Sequence, residues 1–315
     1  MCSFVTYAIV DIGTNTVLLL VADVTASGRI STLEYQQRVP RLGRGVDEHS
    51  LLRQDSMERV IGVLLEYRSV MAKHHPDVMA VCGTSAVRDA ANKEEFAALI
   101  KGRTGFELEI LSGEEEALWT YRGAISGIEH LANATVVDIG GGSTELTRGT
   151  AHEIIASTSL NIGSVRLTER LMPHDPPLPE EISTVRAAVS VSLASLPPSV
   201  RQHSGTVVGV AGTATTLALL AQGVQKFDIR AVSGVTLGRD AISALVSRLQ
   251  KMSSGDILRM AEYMEGRNDI ITAGAIILEE VMMSLGAEEI IVSERGVRYG
   301  IVVREWEKSR GQRER

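Results

Sequence analysis

One short device is written twice in this chain. Asp11-Ile-Gly-Thr-Asn-Thr and Asp138-Ile-Gly-Gly-Gly-Ser-Thr each follow an apolar, β-prone run, residues 7–10 and 134–137. Each leads through small hydroxyl residues into a second β-prone stretch, so each reads as a strand–turn–strand hairpin with a carboxylate at the strand end. The glycines and hydroxyl residues behind the Asp let backbone N–H groups converge on one spot, which makes a nest for anions. A carboxylate beside a phosphate cradle calls for a cation between them, and Mg²⁺ is the usual one. Two such hairpins imply two related lobes gripping a phosphate chain.

The rest of the sequence bounds that reading. At 315 residues the chain has room for two domains. Aromatic residues make up only 4%, so the cores must be built from Val, Ile, Leu, Ala and Met. A net charge of −7 argues against a nucleic-acid surface, which needs a basic stripe. It leaves phosphate compounds open, since backbone N–H groups, a metal and a few Arg residues can hold them. Cys2 and Cys82 are too few for a disulfide framework and fit a reducing cytoplasm. Cys82, ending an apolar strand, reads as a buried small hydrophobe. No secretory signal is expected, because Asp11 interrupts the first apolar run. The uncharged stretch 204–225 is broken by Gly205, Gly209, Gly212 and Gly223 and reads as strand, glycine turn and helix rather than a membrane span.

Along the chain the patterns predict strands at 7–11, 16–24 and 29–39, and a helix over 50–74 with apolar spacing at Leu51, Val60, Leu64 and Val70. A strand at 78–82, a helix near 93–102, a short strand at 107–111 and a helix from 113 follow. The pattern then restarts: strands at 134–138, 143–148 and 152–159, helices at 164–171 and 179–195, a strand at 206–210 and a helix from 213. The remainder reads as helix-rich until a strand at 290–292 and a closing helix from 296. This is an α/β plan of mixed sheets flanked by helices. The lobe boundary is expected near 120–133, giving domains 1–125 and 126–299, the first completed by the helix 300–315.

Eight segments, in order, resemble the exopolyphosphatase/guanosine pentaphosphatase (Ppx/GppA) family of the actin–sugar kinase–chaperone ATPase superfamily. They are 11–16, Arg41-Leu-Gly-Arg-Gly45, Gly83-Thr-Ser-Ala-Val-Arg-Asp-Ala-Ala-Asn92, Ser112-Gly-Glu-Glu-Glu-Ala117, 138–146, Asn161-Ile-Gly-Ser-Val-Arg-Leu-Thr-Glu169, Gly209-Val-Ala-Gly-Thr-Ala-Thr-Thr216 and Glu294-Arg-Gly-Val-Arg-Tyr-Gly300. The resemblance implies two actin-like (ribonuclease H-like) lobes, a site in the cleft between them, and a phosphoanhydride hydrolase. Two departures accompany it: Leu18 stands where the family often has a basic residue, and the chain ends before the helical C-terminal domains of longer members.

Hydrolysis of a phosphoanhydride needs a positioned water, a base, and neutralisation of charge on the phosphoryl oxygens. The resemblance puts the catalytic glutamate on Glu116, while Glu114 and Glu115 read as acids complementing the helix dipole. Asp11 and Asp138 are the expected metal-side carboxylates, for Mg²⁺ or Mn²⁺. Glu145 either holds the metal or orients the water, or is a solvent-facing strand residue. Gly13, Thr14, Asn15 and Thr16, with Gly140, Gly141, Gly142, Ser143 and Thr144, supply the phosphate donors. Arg88 either reaches a phosphate oxygen or is a surface Arg. Gly212 and Thr213 lead a strand into a helix and offer a further anion site. None of the seven His has ligand spacing, and His74 and His75 are expected to be exposed at a helix end. With no covalent nucleophile motif, water is the expected attacker.

The expected substrates are inorganic polyphosphate, in short chains, and guanosine pentaphosphate or tetraphosphate. No nucleic acid or membrane is expected as a partner, and a cytoplasmic homodimer is the expected form. Two other classes stay open at this point: a superfamily small-molecule kinase, and an alarmone-binding sensor with little turnover.

Overall fold

The computed structural model describes residues 4–128, 131, 133–202 and 205–313. Cys2 and the last two residues of the expected helix 300–315 lie outside the described residues, as do 129, 130 and 132 of the expected boundary segment. By its internal contacts the chain divides into two compact units, Met1–Gly123 with Val297–Arg315, and Ala124–Gly296.

The first unit carries β1 (Phe4–Ile12), β2 (Val17–Thr25), β3 (Ile30–Arg38), β4 (Val78–Gly83) and β5 (Leu108–Ile110), in the order β3-β2-β1-β4-β5. The second carries β6 (Asn133–Ile139), β7 (Thr144–Thr150), β8 (Ile154–Leu160), β9 (Thr206–Val210), β10 (Val235–Gly238) and β11 (Glu289–Val292), in the order β10-β11-β9-β6-β7-β8. The same wiring is built twice. An antiparallel hairpin (β1–β2, β6–β7) takes a third antiparallel strand on its outer side (β3, β8), and a parallel strand returns beside the first (β4, β9).

The helices up to residue 125 are α1 (Val46–His49), α2 (Gln54–Met71), α3 (Ser85–Asp89), α4 (Lys93–Thr104) and α5 (Gly113–Ile125). Then come α6 (Ser164–Leu171), α7 (Pro179–Ala194), α8 (Pro198–Arg201), α9 (Ala211–Ala221), α10 (Arg239–Leu249), α11 (Ser254–Leu258), α12 (Ile271–Leu285) and α13 (Val297–Arg313).

Strand alternation decides what each face of the first sheet meets. Ala8, Val10 and Ile12 join Met57, Val60, Ile61 and Leu64 of α2 in one core. Tyr7 and Ile9 join Val297, Ile301 and Val302 of α13 in another. Asp11, next in that second series, therefore belongs to the α13 face. In the second unit one core gathers Val137, Ile139 and Leu146 with the apolar faces of α7, α9, α10 and α12. Asp138 alternates to the opposite face.

Several expectations change. The helix expected over 50–74 is α1 followed by α2, with Ser50 between them at φ 53. Leu51 precedes α2 and is exposed, so its apolar spacing was fortuitous. The helix α3 had no sequence expectation, because its five residues are too short to show a helical period. The strand β10 was hidden in a segment read as helix, because its four residues are only an edge on β11. His74 is half-buried, with Nε2 3.6 Å from Glu34. Among the described residues no helix is long and apolar enough to cross a membrane.

Candidate active site

The two hairpins have matching turns. Gly13 N–H donates to Thr16 O at 2.9 Å, and Gly140 N–H donates to Ser143 O at 3.0 Å. Cross-strand register then sets Asp11 against Leu18, and Asp138 against Glu145. Directly opposed residues point to the same face. Glu145 is buried and its Oε1 accepts from the Ser159 hydroxyl at 2.7 Å, which rules out the solvent-facing reading.

The three acids opening α5 meet three fates. Glu114 is exposed. Glu115 accepts from Ser112 N–H and Oγ, both at 2.9 Å, and the Ser112 hydroxyl in turn caps Glu115 N–H. This reciprocal cap holds the Glu115 carboxyl below its usual range. Glu116 turns inward and is only 9% exposed. Burial pushes its carboxyl up. The Arg88 guanidinium pulls against that, with a contribution from the Thr84 hydroxyl, while Asp89 adds to the rise. Arg88 Nη1 lies 2.5 Å from Glu116 Oε2 and 3.2 Å from Leu111 O. Arg88 thus comes off the last turn of α3 to meet the glutamate, and is not a surface Arg.

Asp11 is buried, and its Oδ1 has no hydrogen-bond partner among the described residues. Burial raises its pKa to about 7, opposed by the charge of Arg298 and reinforced by that of Glu116. Arg298 itself is 3% exposed on α13. It stacks 4.6 Å from the Tyr35 ring centre and donates to Leu19 O at 3.4 Å. A buried cation and two buried acids, Asp11 and Glu116, are therefore within electrostatic reach in the first unit.

In the second unit the N-terminus of α9 adjoins the β6–β7 turn, because Thr213 Oγ1 donates to Ile139 O at 3.4 Å. Thr144 Oγ1 donates to Ile162 O at 2.6 Å. The hydroxyl protons of Thr144 and Thr213 are thus committed to holding the turn. Ala211, opening α9, sits at φ 63, a strained position for a residue with a Cβ. Arg267 lies directly over Gly212; a Cβ there would fall 1.8 Å from its Nη1.

Residues 20–309 match the model of the Ppx/GppA phosphatase family. The chain belongs to that family. Exopolyphosphatase 2 of Mycobacterium tuberculosis is 36% identical, over 94% of this chain and 97% of its own length. The guanosine-5'-triphosphate,3'-diphosphate pyrophosphatase of Vibrio cholerae is 31% identical, over 94% of this chain and 58% of its own. The crystal structure of the Aquifex aeolicus Ppx/GppA family member aligns with a TM-score of 0.82 at 30% identity, covering 98% of this chain and 99% of that one.

Within this Ppx/GppA chain, sequence patterns missed Arg298 and Arg267. Arg298 carried a usable signal, a charge between Val297 and Ile301 on the apolar stripe of α13. Arg267 carried none, since a lone Arg beside Gly266 has the composition of any loop.

Proposed function

We propose that the chain hydrolyses terminal phosphoanhydride bonds, releasing orthophosphate from inorganic polyphosphate and from guanosine pentaphosphate. The observation that carries this reading is the buried Glu116 paired with the half-buried Arg88. A carboxylate that accepts a proton from water must be ionised yet poorly solvated. Burial supplies the basicity, and Arg88 keeps the charged form accessible. Names borne by the relatives support the substrate class: exopolyphosphatase in one, guanosine pentaphosphate pyrophosphatase in another.

Glu116 takes a proton from the attacking water. In each unit the backbone N–H groups of the hairpin turn are suited to hold phosphoryl oxygens. The donor set suits Mg²⁺, or Mn²⁺, through the unpartnered Asp11 oxygen in the first unit and the opposed Asp138 and Glu145 in the second. Among the described residues no three His, Cys, Asp or Glu side chains gather as a metal cluster. When bound, the cation would neutralise charge on the phosphoryl oxygens.

The net charge of −7 and Leu18 opposite Asp11 leave little basic track for a long polyanion, so short chains are the preferred polyphosphate. The test is phosphate release, with Mg²⁺, from short polyphosphate, long polyphosphate and guanosine pentaphosphate side by side. Efficiency per chain end that climbs steadily with length would overturn the short-chain preference. No release from any of the three would overturn the hydrolase reading.

A further inference from the structure

Each peptide plane fixes the N–H of one residue opposite the C=O of the residue before it. Whatever captures a turn's carbonyls therefore decides where its amides point. In the β6–β7 turn every one of three consecutive carbonyls is captured by the start of α6. Gly140 O accepts from Ser164 N–H at 3.0 Å and from the Ser164 hydroxyl at 3.3 Å. Gly141 O accepts from Val165 N–H at 2.9 Å and Arg166 N–H at 3.0 Å. Gly142 O accepts from Arg166 Nε at 2.7 Å. The N–H groups of Gly141, Gly142 and Ser143 are thereby turned away from α6, all to the same side.

The approach of α6 is close enough to require glycine behind the turn as well as in it. A Cβ on Gly163 would fall 2.4 Å from Gly141 O and 2.6 Å from Gly142 C. The first unit solves the same problem differently. There Thr14 O accepts from Gly43 N–H at 2.8 Å, and Asn15 O accepts from Arg41 N–H at 3.1 Å. Both clamps in that unit are backbone amides. The second turn depends on a side chain for its last carbonyl, and its 140–142 stretch is all glycine, so nothing intrinsic to the turn resists a peptide flip.

We propose that Arg166 is a positioning residue for phosphate: by holding the Gly142 carbonyl from behind, it presets the Ser143 N–H toward the anion. It acts through the peptide and need not touch substrate. The inference rests on the reading that the 140–143 turn holds phosphate.

Arg166→Gln and Arg166→Lys, with Arg170→Gln as a control of equal charge change on the same helix, separate this role from general charge or fold effects. With tripolyphosphate as substrate, Arg166→Gln should raise both KM and the orthophosphate inhibition constant about ten-fold, with kcat within about three-fold of wild type. Arg166→Lys should fall between the two, and Arg170→Gln should match wild type. In amide spectra titrated with orthophosphate, the Ser143 response should vanish in Arg166→Gln while that of Gly141 persists. Unchanged KM and orthophosphate affinity in a folded Arg166→Gln would overturn the proposal. If that variant does not fold, wild-type values in Arg166→Lys together with an intact Ser143 response would overturn it equally. A wild-type protein whose Ser143 amide responds to orthophosphate, yet which releases phosphate from neither polyphosphate nor guanosine pentaphosphate, would sink the hydrolase reading and leave the preset turn standing.

Discussion

Asp11 should make the metal-free protein less stable than it would be without the charge. Its carboxyl is raised from 3.8 to about 7, first by burial, with Arg298 only partly offsetting that cost. A folded-state pKa above the unfolded one means that the native protein binds the proton more tightly. Stability is then fully present below about pH 4 and is lost as pH rises through about 7. Each tenfold difference in proton affinity between the folded and unfolded chain is worth ~1.4 kcal/mol. The loss therefore amounts to about 4 kcal/mol, a large share of the 5–15 kcal/mol of an ordinary domain. Asp11→Asn keeps the shape and removes the titration. In chelator, denaturant unfolding across a pH series should show the two proteins nearly equal at about pH 4, with the variant gaining up to ~1.4 kcal/mol per pH unit and levelling off above about pH 7. Adding Mg²⁺ should narrow the gap by stabilising the wild type more than the variant. A difference that stays flat between pH 4 and 7, or a variant less stable than wild type at alkaline pH, would refute the reasoning.

Other outcomes follow from the same geometry. Glu116→Gln should leave the fold and KM near wild type while lowering kcat by roughly two to four orders of magnitude, and near-normal turnover would remove Glu116 from the mechanism. Arg88→Gln takes away the charge that opposes burial at Glu116, so the acid limb of the pH–kcat/KM profile should move to higher pH; an unmoved limb would show that the ion pair does not tune the base. Chelation should abolish activity, and Asp138→Asn and Glu145→Gln should each raise the Mg²⁺ concentration needed for half-maximal rate, whereas full activity in chelator would leave charge neutralisation to Arg and backbone donors.

Much of the fold was readable because its signals are local. The hairpins announce themselves by apolar β-prone strands around Gly-rich turns, and α2 by Val60 and Leu64, both buried where the apolar spacing placed them. The short α3 and β10 were not readable, since neither carries the β-branched apolar run that marked β9 and β11 at similar length. The same contrast runs through the site. Glu116 could be singled out from its neighbours only through the family resemblance, because three consecutive acids look alike until the helix rotates one of them inward. The buried setting of Asp11 follows from strand alternation together with α13, which arrives from the far end of the sequence. Most clamps on the turns were unreadable for a further reason: apart from the Arg166 Nε and Ser164 hydroxyl bonds they are backbone hydrogen bonds, and Arg41, Gly43 and Ser164 N–H donate through atoms that every residue type except Pro possesses.

The duplication also shows where the two units part company. Both hairpins keep the Asp, the first Gly and the turn closure, so the same backbone geometry is specified in each. They differ at the position opposite the Asp. Leu18 beside Asp11 is apolar, and the balancing charge comes from Arg298 on α13. Glu145 beside Asp138 is a second acid, and like charges directly opposed across a hairpin destabilise it. On the proposed function, a divalent cation would ease that opposition in the second unit, while in the first a fixed Arg already stands near the carboxylate. The first unit sets Arg88 against the buried Glu116, the charge that keeps its ionised form accessible and ready to take a proton.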